Sequence, residues 1–279
     1  MENNILEIQA LHFKYSDGTH ALKGLNMEIK RGDMTAILGS NGAGKSTLFH
    51  NMNGILRPSA GRIIFEGNPV EYSRNGLMSL RKSVGIVFQD PDSQLFSASV
   101  YQDISFGVMN LKLSKAEVRR RVDEAMTRTG ILHLKDKPTH SLSFGQKKRV
   151  AIAGVLAMGP KVLILDEPTA GLDPMGVSEI MNFLREMQKE SDMSIIISTH
   201  DIDIIPIYCD KVFVMQEGRI IIEGTPEEVF MEKDTIRRVN LRLPRIGHLM
   251  EILKEKDGVD VEDLPLTISK ARSASKEII

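Results

Sequence analysis

Cysteine is almost absent from this chain: of 279 residues only Cys209 is one. No internal disulfide can form, which suits a reducing compartment, and a thiol inside an apolar stretch is expected to be buried and inert. Net charge is also missing. With 36 basic and 37 acidic residues the formal charge is −1, so no global positive field holds nucleic acid or an anionic membrane, and nucleic acid is not expected as a partner. No stretch reaches the roughly 18 to 20 apolar residues needed to cross a bilayer; the nearest candidates are broken by Asp166, Glu167, Asp201 and Asp203. A membrane role would therefore come through a partner. The opening "MENNILEIQ" has neither a basic segment nor a long apolar one and is not read as a signal peptide, so the expected location is the cytoplasm. Internal repeats and low-complexity segments are lacking too.

What is present alternates between strand and helix. "ILEIQALHFKY" and "LNMEI", separated by the turn residues "SDGTH", read as antiparallel strands. "MTAIL" runs straight into the glycine-rich "GSNGAGKST", and "KSTLFHNMNGIL" then has helical spacing. "GRIIFEG" and "SVGIVFQ" read as strands, and "SKAE" is a capping box, Ser114 with Glu117, opening a helix whose apolar face is Val118, Val122, Ala125 and Met126. The arginines of that helix are assigned to solvent. A helix from Phe144, the strand "KVLIL", a helix opened by Asp173-Pro174, the strand "SIIIST", a short helix interrupted by Pro206, and the strands "KVFVMQ" and "RIIIEG" follow. "TPEEVF" reads as one more short helix. This is an α/β nucleotide-binding core over residues 1–232, with a helical subdomain at about 90–160. Residues 233–279 form a small appendage with apolar residues at Ile246, Leu249, Met250 and Leu253 in helical register, and dimerisation is its candidate role.

Several residue groups carry chemistry. Gly39, Ser40, Asn41, Gly42, Ala43, Gly44, Lys45 and Ser46 match G-x-x-x-x-G-K-[ST] in full, with Thr47 following. Such a loop turns backbone amides onto a phosphate, its lysine reaches the terminal oxygens, and its serine hydroxyl ligates Mg²⁺. In "VLILDEP" two carboxylates, Asp166 and Glu167, follow a buried strand; adjacent acids can divide the tasks of holding Mg²⁺ and activating water. His200 and Gln89 are neutral polar groups at strand ends, suited to the γ-phosphate and to Mg²⁺ or the attacking water. Tyr15 offers a ring that can stack on adenine or pack in the core. Ser143 and Gln146 of "LSFGQ" have capping-box spacing, and the helix N-terminus they define attracts anions.

In sequence order "GSNGAGKST", "FQDPDSQ", "LSFGQ", "VLILDEP", "AGLD" and "STHD" resemble the Walker A, Q-loop, signature, Walker B, D-loop and switch-histidine motifs of ATP-binding cassette (ABC) ATPases, over roughly residues 5 to 230. The resemblance implies an ABC ATPase fold: a P-loop core with an antiparallel β subdomain and a helical subdomain. It implies ATP at Gly39 to Thr47, Mg²⁺ at Ser46, Gln89 and Asp166, Glu167 as the base and His200 as the γ-phosphate sensor. It also implies a second ATPase subunit, identical or paralogous, whose ATP is closed over by Ser143, Phe144, Gly145, Gln146 and the D-loop Asp173. The family usually has Gly where this chain has Phe144.

"FQDPDSQLFSASVYQDISFG" and the tail "LRLPRIGHLMEIL" are similar to those of energy-coupling-factor (ECF) importer ATPases, and among these to the ATPases of cobalt importers; vitamin importers use very similar ones. This likeness implies a peripheral subunit on the cytoplasmic face of the membrane, working with a transmembrane coupling subunit and a substrate-binding membrane subunit. Pro91, Asp92, Gln94, Leu95 and Phe96 are the expected coupling surface. A soluble ABC mechanoenzyme acting on DNA or the ribosome is less consistent, since neither a long coiled-coil insertion nor a second cassette is present. A GTPase lacks its Asn-Lys-x-Asp here, and a P-loop kinase would have no use for "LSFGQ".

Overall fold

In a computed structural model that describes residues 3–258 and 264–276, alternating side chains make β1 (Asn4–Lys14) and β2 (His20–Lys30) an antiparallel pair with one buried face. β3 (Met34–Leu38) is buried throughout and leads into α1 (Lys45–Met52). β4 (Ala60–Phe65) and β5 (Asn68–Pro69) join β1 and β2 in a four-stranded sheet of order β2-β1-β4-β5. After α2 (Arg74–Ser83) and β6 (Val84–Val87), three helices follow in turn: α3 (Val100–Met109), α4 (Lys115–Arg128) and α5 (Phe144–Leu156). Then come β7 (Val162–Leu165), α6 (Pro174–Ser191), β8 (Ser194–Ser198), α7 (Ile205–Tyr208), β9 (Lys211–Gln216), β10 (Arg219–Gly224), α8 (Pro226–Met231), α9 (Lys233–Arg238), α10 (Arg245–Lys256) and α11 (Ile268–Lys276).

The second sheet has the order β10-β9-β3-β8-β7-β6 and is parallel except for β10. Its central strands are covered on both faces, so they read as unbroken apolar runs rather than as alternation. Ile195 and Ile197 of β8 enter a core with α5, α6 and α8, whereas Ile196 enters one with α1 and the antiparallel sheet. Helices α3, α4 and α5 share a third core around Val100, Ile104, Val122, Met126 and Val150. In the tail, Ile236, Val239, Leu243 and Leu266 belong to the same core as the parallel sheet.

Four local expectations need correction. Helix α1 stops at Met52 because Gly54 takes φ 73°, the left-handed conformation that ends a helix. Only half of the Ser114 box forms: Ser114 Oγ accepts from Glu117 N, but the Glu117 carboxylate turns to Arg120 and Arg121. Pro206 does not interrupt a helix. It lies in the first turn of α7, where its missing N–H costs nothing. In α10, Met250 is buried while Leu249 is exposed, so the two neighbours in the helical pattern face different ways.

Candidate functional site

Parallel strands deliver the sequence motifs to one edge of the sheet. The loop after β3, Gln89 after β6, Asp166 and Glu167 after β7, and His200 after β8 all follow the carboxyl ends of their strands, which is where α/β folds hold ligands. They line a cleft of about 500 Å³ together with Tyr15 and the residues from Asn41 to Thr47. Gly44, at φ 105°, caps α1, and a Cβ there would lie 2.8 Å from the Ala21 carbonyl oxygen. Gly39 and Ser40 do not line the cleft; their carbonyl oxygens accept from Lys45 Nζ at 2.6 and 3.3 Å. Burial lowers the pKa of that ammonium, opposed by the charges of Glu167 and Asp166.

The acidic pair is held by hydroxyls. Asp166 Oδ2 accepts from Ser46 Oγ at 2.7 Å and Oδ1 from Ser198 Oγ at 2.5 Å. Ser198 Oγ in turn accepts from Glu167 N at 3.0 Å, so one β8 serine ties both acids together. Glu167 is 5% exposed and takes φ 52°, a left-handed conformation unfavourable for a residue with a Cβ. Its Oε2 accepts from His200 N at 3.3 Å. His200 Nε2 lies 3.2 Å from Oε1 but is not aligned with it, leaving that buried oxygen without a hydrogen-bond donor. Tyr15 donates to or accepts from Thr47 Oγ1 at 2.9 Å and stands edge-on to Phe13, so its ring is fixed at the mouth of the cleft.

The stretch Ser143 to Gln146 stands apart from this cleft and lines none of it. Ser143 caps α5: its Oγ accepts from Gln146 N at 3.3 Å and its N–H donates to Gln146 Oε1 at 3.0 Å, a complete capping box. The first-turn amides of Phe144 and Gly145 have no intrahelical acceptor. Phe144 is the first helical residue and takes negative φ, so the phenyl group meets no backbone strain there. Its ring lies over Gly171, where a Cβ would come within 2.8 Å of it; Gly171 has φ 75°. Asp173 caps α6 through Gly176 N at 2.7 Å.

A family model for ABC transporters matches residues 22–170. The energy-coupling factor transporter ATP-binding protein EcfA3 of Clostridium perfringens is 72% identical over 272 residues, 98% of this chain and 95% of the relative. The chain belongs to the ABC transporter family. It is an ATPase subunit of the energy-coupling-factor type. EcfA of Methanocaldococcus jannaschii is 55% identical over 92% of both chains. The solved structure of cbiO1 from Clostridium perfringens, part of the ABC transporter complex cbiONQ, is 73% identical with a TM-score of 0.78, covering 90% of this chain and 100% of that one. An ATP-binding cassette dimer in a post-hydrolysis state with ADP and Pi is 25% identical, with a TM-score of 0.73 over 79% of this chain and 98% of that chain.

In this ECF ATPase the segment after Gln89 divides in two. Gln94 turns inward: its Oε1 accepts from Phe88 N at 3.0 Å and its Nε2 donates to Ile86 O at 3.3 Å, which pins the segment to the end of β6. Pro91 is buried, and Leu95 packs against the cores of both the parallel sheet and the α3–α5 helices. Gln94 and Leu95 are half-buried and brace the segment from within. Asp92 pairs with Lys147 of α5 at 2.5 Å. Only Phe96 of the apolar pair is outward, 65% exposed, its ring edge-on to Phe106 and its backbone amide held by Asp103.

Some functional neighbours escaped sequence reading. Thr19, His20 and Lys23 line the cleft beside Tyr15, and Glu217 reaches it from the β9–β10 turn. The first three are signalled only by proximity to Tyr15; Glu217 has no local signal. Ser198 lies two residues before His200 in a run that reads simply as strand.

Proposed function

We propose that this ATPase works as a pair of cassettes, each closing its signature loop over the ATP held by the other, and that closure and reopening move membrane subunits importing cobalt or a related micronutrient. The observation that carries the reading is the separation of two phosphate-suited sites in one chain: the P-loop lines the cleft, while the capped N-terminus of α5 does not. A second chain resolves that separation. Ser143 Oγ accepts from Gln146 N, so its own proton remains available to a partner's γ-phosphate. The existence of a dimeric cassette among the similar structures supports the pairing, and the likeness to cbiO1, part of an ABC transporter complex cbiONQ, supports the membrane partners.

Within the cleft, Lys45 leaves the Gly39 and Ser40 carbonyls for the phosphates of ATP, Tyr15 stacks on adenine, and Glu167 Oε1 takes the proton of the attacking water. His200 holds the γ-phosphate. Ser46, Gln89 and Asp166 are hard oxygen donors that suit Mg²⁺ shared with a nucleotide. When bound, Mg²⁺ neutralises phosphate charge during transfer. Loss of charge-assisted bonds in Lys45→Ala should weaken ATP affinity by about tenfold to a hundredfold, measured with a fluorescent nucleotide; unchanged affinity removes Lys45 from phosphate binding.

Among the described residues no helix is long and apolar enough to cross a membrane, and the appendage from residue 233 is proposed to assist pairing of the cassettes. The exposed Phe96, edge-on to the exposed Phe106, is the proposed seat of the transmembrane coupling subunit, and a separate substrate-binding membrane subunit completes the importer. Phe96→Ser should leave the purified chain hydrolysing ATP but weaken its assembly with the membrane subunits by about tenfold or more and abolish uptake into reconstituted vesicles. Full uptake by that variant places the coupling surface elsewhere.

A further inference from the structure

Lys148 is the least expected charge in the protein. It lies in α5, two residues after the capping box, and is 2% exposed. Its neighbours on the helix have acidic partners, Lys147 with Asp92 and Arg149 with Glu179. Lys148 Nζ instead donates to three backbone carbonyls: Glu167 O at 2.8 Å, Pro168 O at 3.1 Å and Ala170 O at 2.7 Å. An ammonium has three N–H donors and no acceptor, so this loop uses all of them. The Phe144 ring centroid lies 5.3 Å from Nζ, within the range of a cation–π contact. Burial lowers the pKa of this ammonium to about 8, opposed by the charge of Glu167.

A buried cation without a carboxylate in its first contacts is costly unless hydrogen bonds satisfy it. Here it gathers carbonyls of one irregular loop, including that of Glu167 in its left-handed conformation. Backbone in that region persists only where surroundings hold it, and Glu167 is held on its N–H side by Ser198 and on its carbonyl side by Lys148. The same loop continues to Gly171 under Phe144, and a Cβ on Gly145 would meet Leu172 at 3.3 Å.

We propose that Lys148, roofed by Phe144, is a positioning residue that sets the orientation of Glu167 and locks the loop from Glu167 to Asp173 to the signature helix, so that both move as one body when cassettes close. Phe144, lying over Gly171 and near Lys148, completes this lock. The inference rests on Glu167 being the base of hydrolysis.

The test is a double-mutant cycle on the full-length protein. Lys148→Met fills the same length with no donor. It is expected to lower kcat for ATP by about tenfold to a hundredfold, the scale of a misplaced reacting group, with KM and fluorescent-nucleotide affinity within about twofold of the original. In a Glu167→Gln background the same change should cost almost nothing, because the group it positions is gone. Lys148→Gln, with two donors, should fall between. Losses that multiply in the double variant, or a loss expressed in KM, overturn the inference. If Lys148→Met does not fold by circular dichroism, Lys148→Gln carries the cycle, and an unaltered kcat in it overturns the inference equally. Normal hydrolysis by Glu167→Gln alone sinks instead the assignment of the base.

Discussion

Glu167→Gln is expected to slow ATP hydrolysis by about 10² to 10⁴ fold, the range lost with a positioned general base, and to leave nucleotide affinity intact. The carboxylate lines the cleft beside the P-loop but makes no contact with Lys45 or Ser46 as a hydrogen-bond partner, so its loss breaks no hydrogen bond of the phosphate cradle. Its Oε1 has no donor although buried, and an amide oxygen in the same place accepts a hydrogen bond without taking a proton. With ATP bound and not cleaved, the pair of cassettes should accumulate in its closed form. Turnover at saturating Mg-ATP and the dimer fraction by size-exclusion chromatography measure the two effects, and near-normal turnover removes Glu167 from the role. Asp166 is expected to behave differently, because its oxygens already accept from Ser46 and Ser198: its replacement disturbs the geometry of the P-loop serine itself.

Ser143→Arg is the second change of large expected effect. Ser143 lines no part of its own chain's cleft, so affinity for ATP at that chain's P-loop should persist. The substitution removes the N-cap acceptor and places a long side chain where the γ-phosphate of the partner's ATP is proposed to sit. Hydrolysis should fall by more than about a hundredfold, the loss typical when one preorganised donor to a developing oxyanion is removed. ATP-dependent closure should disappear with it. Ser143→Ala removes the cap, costing about 1 kcal/mol of helix stability, and the hydroxyl donor but adds no obstruction, so the further loss in Ser143→Arg measures the obstruction itself. An isolated chain that hydrolyses ATP as fast as the pair and ignores Ser143→Arg overturns the trans-acting loop.

Local rules explain what the sequence by itself determined. The P-loop was legible because its glycines, lysine and serine act within one strand-loop-helix unit. The caps at Ser143 and Asp173 were legible because a capping side chain reaches only two or three residues along its own chain. The burial of β3, β7 and β8 followed from unbroken apolar runs, since strands covered on both faces have no polar side to show.

Tertiary structure alone decided the rest, because it depends on which strands become neighbours. The order β3-β8-β7 brings Ser198 between the P-loop and the acids, a relation between residues far apart in the chain that no local pattern encodes. Leu95 and Phe96 are adjacent apolar residues in the sequence, yet one packs inward and the other is held outward by Asp103. Lys148 reads as one more basic residue of "QKKR", and helical spacing predicts only which face it shares. That face became a site for a buried cation because the loop after β7 turns three carbonyls onto it and the Phe144 ring lies beside it.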